Sequence, residues 1–197
     1  MTNNVVVQIP CLNEESTIGD VVRGFKKKLP KAKVIVYDNN STDNSVKIAK
    51  KYGAEVFLVS KQGKGNVVRR MFEENINANF FIMIDADNTY DIANIKDILK
   101  KMQDENFDMM VAKRIHSDSS AYRTGHVFGN YFFSKFVNLI FGNDITDIFS
   151  GFRIFSKRFI KTFPQNSTEF EIEAELTIHA LEPVSYTHLR AHETKKH

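Results

Sequence analysis

Hydrophobic and polar positions along the chain repeat with two different periods. Short runs dense in Val, Ile, Phe and Met at residues 5–9, 33–37, 54–59, 80–84 and 109–112 read as strands. Between them, at 17–29, 45–52, 64–76 and 92–103, apolar residues recur every three or four positions, as on one face of a helix. Strands and helices that alternate with short connections predict a mainly parallel central sheet with helices on both faces, because parallel neighbours need a crossover. In such sheets ligands bind beyond the carboxyl ends of the strands. Three polar segments fall there: PCLNEE after the first strand, DNNSTDNS after the second and DADNTYD after the fourth.

Composition narrows the classes. With 197 residues, 42% of them hydrophobic, the chain can bury the core of one domain of ordinary size. A formal charge of +3 leaves no footprint for nucleic acid. The single cysteine, Cys11, permits neither an internal disulfide nor a thiolate metal cluster. It is expected to be a small buried residue of a protein in a reducing compartment. The start, MTNNVVVQIP, reads as a first strand rather than a signal peptide. The aromatic stretch 127–142, VFGNYFFSKFVNLIFG, is helical in pattern but too short and polar to span a bilayer. It suits either a core helix or one whose Phe-rich surface lies at a membrane interface.

The chemistry concentrates in IDADNTYD. Asp85 and Asp87, one residue apart at a strand end, can hold a hard divalent cation, since Mg²⁺ and Mn²⁺ take oxygen ligands and leave positions for phosphate. An Asp pair in this position also serves as a turn or helix cap. Asp43 and Ser45 suit a helix start, and Glu14 and Glu15 precede a helix whose dipole favours carboxylates. Lys64, in KQGKGN at the opening of the third helix, suits an anion. No full P-loop and no GxGxxG after the first strand is present. Arg114, Arg123 and Arg153 are candidate phosphate ligands, since a guanidinium can bind phosphate through two bonds. Farther on, TEFEIEAEL carries Glu169, Glu171, Glu173 and Glu175, a run that most simply forms a solvated helix face.

Taken together, IPCLNEE, VYDNNSTDNS, GKG, DAD and SGFR (150–153) resemble the family 2 glycosyltransferases, in the branch similar to dolichyl-phosphate mannosyltransferase and other polyprenyl-phosphate glycosyltransferases. The resemblance runs from residue 4 to about 182. It implies a GT-A-like nucleotide-diphospho-sugar transferase fold. It also implies that Pro10, Leu12, Glu14, Asp38, Asn39, Lys64 and Asp85 contact the donor, and that Asp85 and Asp87 hold Mg²⁺ or Mn²⁺. Asp87, Arg114 and Arg153 become the candidate catalytic residues, Asp147 and SGFR flank the acceptor site, and Glu171 is the favoured carboxylate of its run. Two departures stand out. Asn39 replaces a usual second aspartate, and Asn88–Thr89 replace the Leu-Gln of the mannosyl branch, which points away from GDP-mannose.

The expected activity is inverting transfer of a sugar from a UDP- or GDP-sugar to a polyprenyl (dolichyl or undecaprenyl) phosphate at the cytoplasmic membrane face, with peripheral membrane contact. A lipid phosphate is already ionised at neutral pH and needs no general base. The alternatives are a family 2 transferase acting on a saccharide or protein hydroxyl, and a non-catalytic nucleotide-sugar-binding domain. Residues 1–182 are expected to form the catalytic domain. Residues 183–197, which contain three of the six histidines, are expected to be an atypical, weakly ordered tail, truncated or foreign.

Overall fold

The structure is a computed structural model that describes residues 4–74, 77–113, 150–164, 168–169, 171–181 and 190–193. Its first half follows the alternation: β1 (Val5–Cys11), α1 (Ile18–Lys28), β2 (Lys33–Asp38), α2 (Ser45–Lys51), β3 (Glu55–Leu58), α3 (Lys64–Glu73), β4 (Phe80–Met83), α4 (Ile95–Asp104) and β5 (Met109–Lys113). Then come β6 (Arg153–Ser156), α5 (Lys157–Thr162), α6 (Glu171–Leu181) and β7 (Arg190–Glu193). The strands form one seven-stranded sheet in the order β3-β2-β1-β4-β6-β5-β7. Only β6 runs against its neighbours, β4 and β5; every other pairing is parallel. β7 brings four residues of the 183–197 tail alongside β5.

Alternate residues of β1 show how the sheet is covered. Val5, Val7 and Ile9 enter a cluster with Val22 and Phe25 of α1 and Ile98 and Leu99 of α4. Val6 enters a second cluster with Val68 and Met71 of α3, Phe159 of α5 and Leu176 of α6. Strands buried on both faces read as continuous apolar runs, which is why β1, β2 and β4 stand out in the sequence. Gln8 sits among the residues of the second face. Its Nε2 donates to Met71 O at 2.9 Å and Tyr37 Oη at 3.0 Å, occupying a carbonyl in the last turn of α3.

The differences from the sequence reading have local causes. The helix expected at 92–103 begins at Ile95, because Asp91 Oδ1 accepts from Ala93 N at 2.8 Å and holds the preceding residues in a turn. The helix expected at 64–76 stops at Glu73, where Glu74 takes up an extended conformation. Neither β6 nor α5 is foreshadowed by periodicity, since each is short. Their corner is fixed by Asp108, which is buried and accepts from Arg158 through both oxygens and from Ser156 Oγ at 2.7 Å. Ser156 in turn caps α5 by accepting from Phe159 N at 3.1 Å. The aromatic stretch 127–142 lies outside the described residues.

The reversal of β6 positions the site. In a parallel sheet the strand ends carry the ligand edge, but an antiparallel strand brings its beginning there. Arg153 pairs with Met83, the last residue of β4, so Ser150, Gly151 and Phe152 emerge beside the DAD turn. Residues 70 positions apart in sequence thereby share one edge.

Candidate active site

Each of the three expected loops turns on an asparagine with positive φ: Asn13 at 56°, Asn40 at 70° and Asn88 at 58°. Asn tolerates this left-handed region better than other non-glycine residues, so these polar segments can reverse direction tightly at the strand ends. The first two loops interlock. Asn13 N donates to Ser41 Oγ at 2.9 Å, Thr42 N to Asn13 Oδ1 at 2.8 Å, Glu14 N to Ser45 Oγ at 2.8 Å and Asn44 N to Glu15 Oε2 at 2.9 Å. Asp43 accepts from Ser45 N at 2.9 Å in a turn that leads into α2, whose N-cap is Asn44. Cys11 lies beneath these loops. Burial pushes its thiol pKa up to about 11, which suits a small core residue rather than a nucleophile.

Glu14 meets the DAD turn from this side. Its carboxyl pKa is raised, first by burial and then by the charges of Asp87, Asp85 and Asp43. Three loops distant in sequence therefore assemble one acidic field. Asp87 Oδ1 accepts from Thr89 Oγ1 at 2.8 Å and Thr89 N at 3.1 Å, which fixes the turn. Asp85 Oδ1 accepts from Lys64 Nζ at 2.7 Å. Among the described residues no three His, Cys, Asp or Glu side chains gather into a group that could hold a metal ion. The donor set nonetheless suits a hard divalent cation: carboxylate oxygens whose mutual repulsion a cation would relieve.

Lys64 opens α3, and its ammonium also donates to Glu173 Oε1 at 2.5 Å. Burial opposes the charge on Lys64, yet Asp85 and Glu173 outweigh it and hold the ammonium pKa above the ordinary lysine value. Glu173 is itself raised, by burial, against the pull of Lys64. Glu171, the member of the run that the resemblance favours, is exposed at the start of α6. Sequence reasoning passed over Glu173, although a Glu inside EIEAELTIHAL, a helix buried on most sides, was a signal available to it.

Arg153 is placed beneath the site. It is 0% exposed, with Nε donating to Ser150 O at 2.9 Å and Nη1 to Thr177 Oγ1 at 2.9 Å. Thr177 Oγ1 donates onward to Glu173 O at 3.0 Å, so the guanidinium supports the helix that carries Glu173. Tyr90, also unremarked in the sequence, joins the two halves: its hydroxyl accepts from Gly151 N at 2.8 Å and lies 3.3 Å from Ser150 Oγ. Pro10 is partly buried in β1 and Leu12 stands 47% exposed at the rim. Arg114, Arg123 and Asp147 lie outside the described residues.

Asp38 ends β2 and Asn39 follows it, both buried. Asp38 accepts from Ser41 N at 3.2 Å. Asn39 ties down the loop into α3: Nδ2 donates to Val59 O at 2.8 Å and Lys61 O at 2.9 Å, and Oδ1 accepts from Gly63 N at 2.9 Å. A carboxylate cannot donate. Asn39→Asp, although it supplies the aspartate that the resemblance leads one to expect, therefore loses both of these bonds, leaving Val59 O with the longer bond from Asn40 Nδ2 at 3.3 Å, and is expected to cost roughly 1–3 kcal/mol. A urea midpoint equal to that of the parent would contradict this role.

Known proteins resemble both the sequence and the shape. The chain is 40% identical to Protein RfbJ of Shigella flexneri over 124 residues, which is 62% of this chain and 95% of that protein. It is 31% identical to Glycosyltransferase AglJ of Haloferax volcanii over 176 residues, 88% of this chain but 57% of AglJ, so it spans little more than half of that relative. The structure superposes on glucosyl-3-phosphoglycerate synthase of M. tuberculosis with a TM-score of 0.80, covering 98% of this chain and 70% of that one. At 18% identity this is a likeness of fold, the GT-A-like arrangement. That synthase has also been solved with Mn²⁺, UDP and glucosyl-3-phosphoglycerate, again at a TM-score of 0.80. Residues 6–163 match Glycosyl transferase family 2, and with the DAD turn, the GKG helix start and the SGFR corner gathered at one sheet edge, the chain belongs to that family.

Proposed function

We propose that this domain transfers a hexosyl group from a UDP- or GDP-sugar to a polyprenyl phosphate, with inversion, at the cytoplasmic face of a membrane. The observation that carries the donor half is the convergence of Glu14, Asp85, Asp87 and Lys64 at the carboxyl ends of β1 and β4. Pro10, Leu12, Glu14, Asp38 and Asn39 border the nucleoside end. Asp85 and Asp87 would hold Mg²⁺ or Mn²⁺, which when bound neutralises the charge that develops on the leaving diphosphate. The solved synthase complex, which holds a divalent metal with UDP on the same fold, supports this half.

Inverting transfer is one displacement. An acceptor oxygen attacks the anomeric carbon as the bond from that carbon to the diphosphate oxygen breaks, and the electron pair leaves with the diphosphate. For the acceptor, the support is chemical. Asp85 and Glu173 share Lys64, and Asp87 holds Thr89. A lipid phosphate needs no base from any of them. The glucosyl-3-phosphoglycerate synthase, solved with Mn²⁺, UDP and phosphoglyceric acid, handles an acceptor that also bears phosphate. Arg114 is assigned the positioning of phosphate, while Arg153, buried, acts only by holding the Ser150 turn and α6 in place. The proposed contact with the lipid is peripheral; no helix among the described residues is long and apolar enough to cross a membrane.

A hydroxyl acceptor is the second reading. One observation favours it: Glu14, a partly buried carboxylate beside the DAD turn, whose pKa is raised by burial and by the neighbouring carboxylates. The two separate by supplying Mn²⁺ and a panel of UDP- and GDP-sugars with either a short-chain polyprenyl phosphate or the matching polyprenol. Product with the phosphate alone is expected. Product with the alcohol, or with saccharide hydroxyls only, would overturn the assignment.

A further inference from the structure

The contact between Lys64, Asp85 and Glu173 joins three separate parts of the chain within the interior. The lysine side chain is 12% exposed, Asp85 16% and Glu173 5%. One ammonium serves two carboxylates, at 2.7 Å and 2.5 Å. A lysine so enclosed cannot exchange its partners for water, and a buried charge left without a partner is costly. Asp85 is also the carboxylate expected to ligate a divalent cation. A dication on Asp85 would face the Lys64 ammonium at close range, and the two like charges repel.

We propose that Lys64 is a built-in counter-cation that neutralises Asp85 when the site is empty, and that Glu173 is the positioning residue that keeps the ammonium when a divalent cation takes Asp85 over. The inference rests on the reading of Asp85 and Asp87 as the cation site. The geometry supports a handover rather than expulsion. Glu173 is the more enclosed of the two carboxylates, 5% exposed against 16% for Asp85. Its own helix is pinned through Thr177 to Arg153, so it stays in place while Asp85 changes partner. Glu173 then acts on the reaction only through Lys64. The ammonium it retains beside the cation can meet the diphosphate, adding a positive charge where the leaving group departs.

The idea predicts opposite signs for two substitutions, read as Mn²⁺ affinity with no nucleotide present, by the loss of free Mn²⁺ signal in electron paramagnetic resonance. Lys64→Met removes the competitor and is expected to tighten Mn²⁺ about tenfold, the usual scale of one neighbouring charge. Glu173→Gln leaves the ammonium with Asp85 as its carboxylate, and is expected to weaken Mn²⁺ by about the same factor. A merely structural role would move both in one direction. Binding of a UDP- or GDP-sugar with Mn²⁺ to the unaltered protein tests the proposed function separately. If the unaltered protein binds donor and metal while the two variants shift together or not at all, the handover is wrong and that function stands. If the unaltered protein binds no Mn²⁺, both fall. Should Lys64→Met not fold, Glu173→Gln decides alone: unchanged or tighter Mn²⁺ binding overturns the inference.

Discussion

Replacing Asp87 by asparagine is expected to abolish Mn²⁺-dependent binding of the nucleotide sugar and to lower turnover by roughly a thousandfold, the several kcal/mol that a metal ion contributes to charge stabilisation. The fold should survive. Asp87 lies in the turn beyond β4, and its contacts within that turn are Thr89 N and Oγ1. The asparagine oxygen can still accept one of these bonds, so the lost quantity is charge. Glu14 supplies an internal check. Part of its raised pKa comes from Asp87, so in the variant its carboxyl should titrate lower, a shift readable by NMR without substrate. Parent-like Mn²⁺-dependent donor binding by Asp87→Asn would remove Asp87 from the metal site.

Much of this arrangement was visible before the fold was known, and the reason is that its parts are local. β1, β2 and β4 announce themselves because strands covered on both faces are mostly apolar, and the helices between carry a single apolar stripe. Asp85 and Asp87 follow from where β4 ends. What stayed hidden depends on pairing across long separations. β6 is four residues long, and its partners, Phe80–Met83 and Met109–Val111, lie more than forty residues upstream. Glu173 sits in a run of alternating glutamates that reads as a solvated face, and only its place in a largely buried helix sets it apart. Arg153 suggested a phosphate ligand by its charge, but its place at the head of β6, inside the sheet, turns its guanidinium to Ser150 O and Thr177. Asn39 looked like a lost carboxylate. Only the positions of Val59 O and Lys61 O show that an amide is what that corner uses.

The second large effect falls on a residue with no side chain. A methyl group at Gly151 would lie 1.9 Å from Asp85 Oδ2 and 2.3 Å from its Cγ, far inside contact distance. The carboxylate cannot simply rotate away, because Lys64 holds its other oxygen at 2.7 Å. The backbone cannot simply retreat either: Gly151 N donates to Tyr90 Oη at 2.8 Å, and Ser150 Oγ donates to Ala112 O at 2.6 Å. Gly151→Ala is therefore expected to cost about 1–3 kcal/mol of stability, the usual penalty of overpacking. Its turnover should fall about a hundredfold or more, since displacing a catalytic group by an ångström has that effect. The cause can be isolated by non-additivity. In an Asp85→Ala background the obstructing carboxylate is gone, so adding Gly151→Ala should destabilise little further. A full additional stability loss in that double variant would show that Gly151 matters to the β6 corner itself and not to the room it leaves for Asp85.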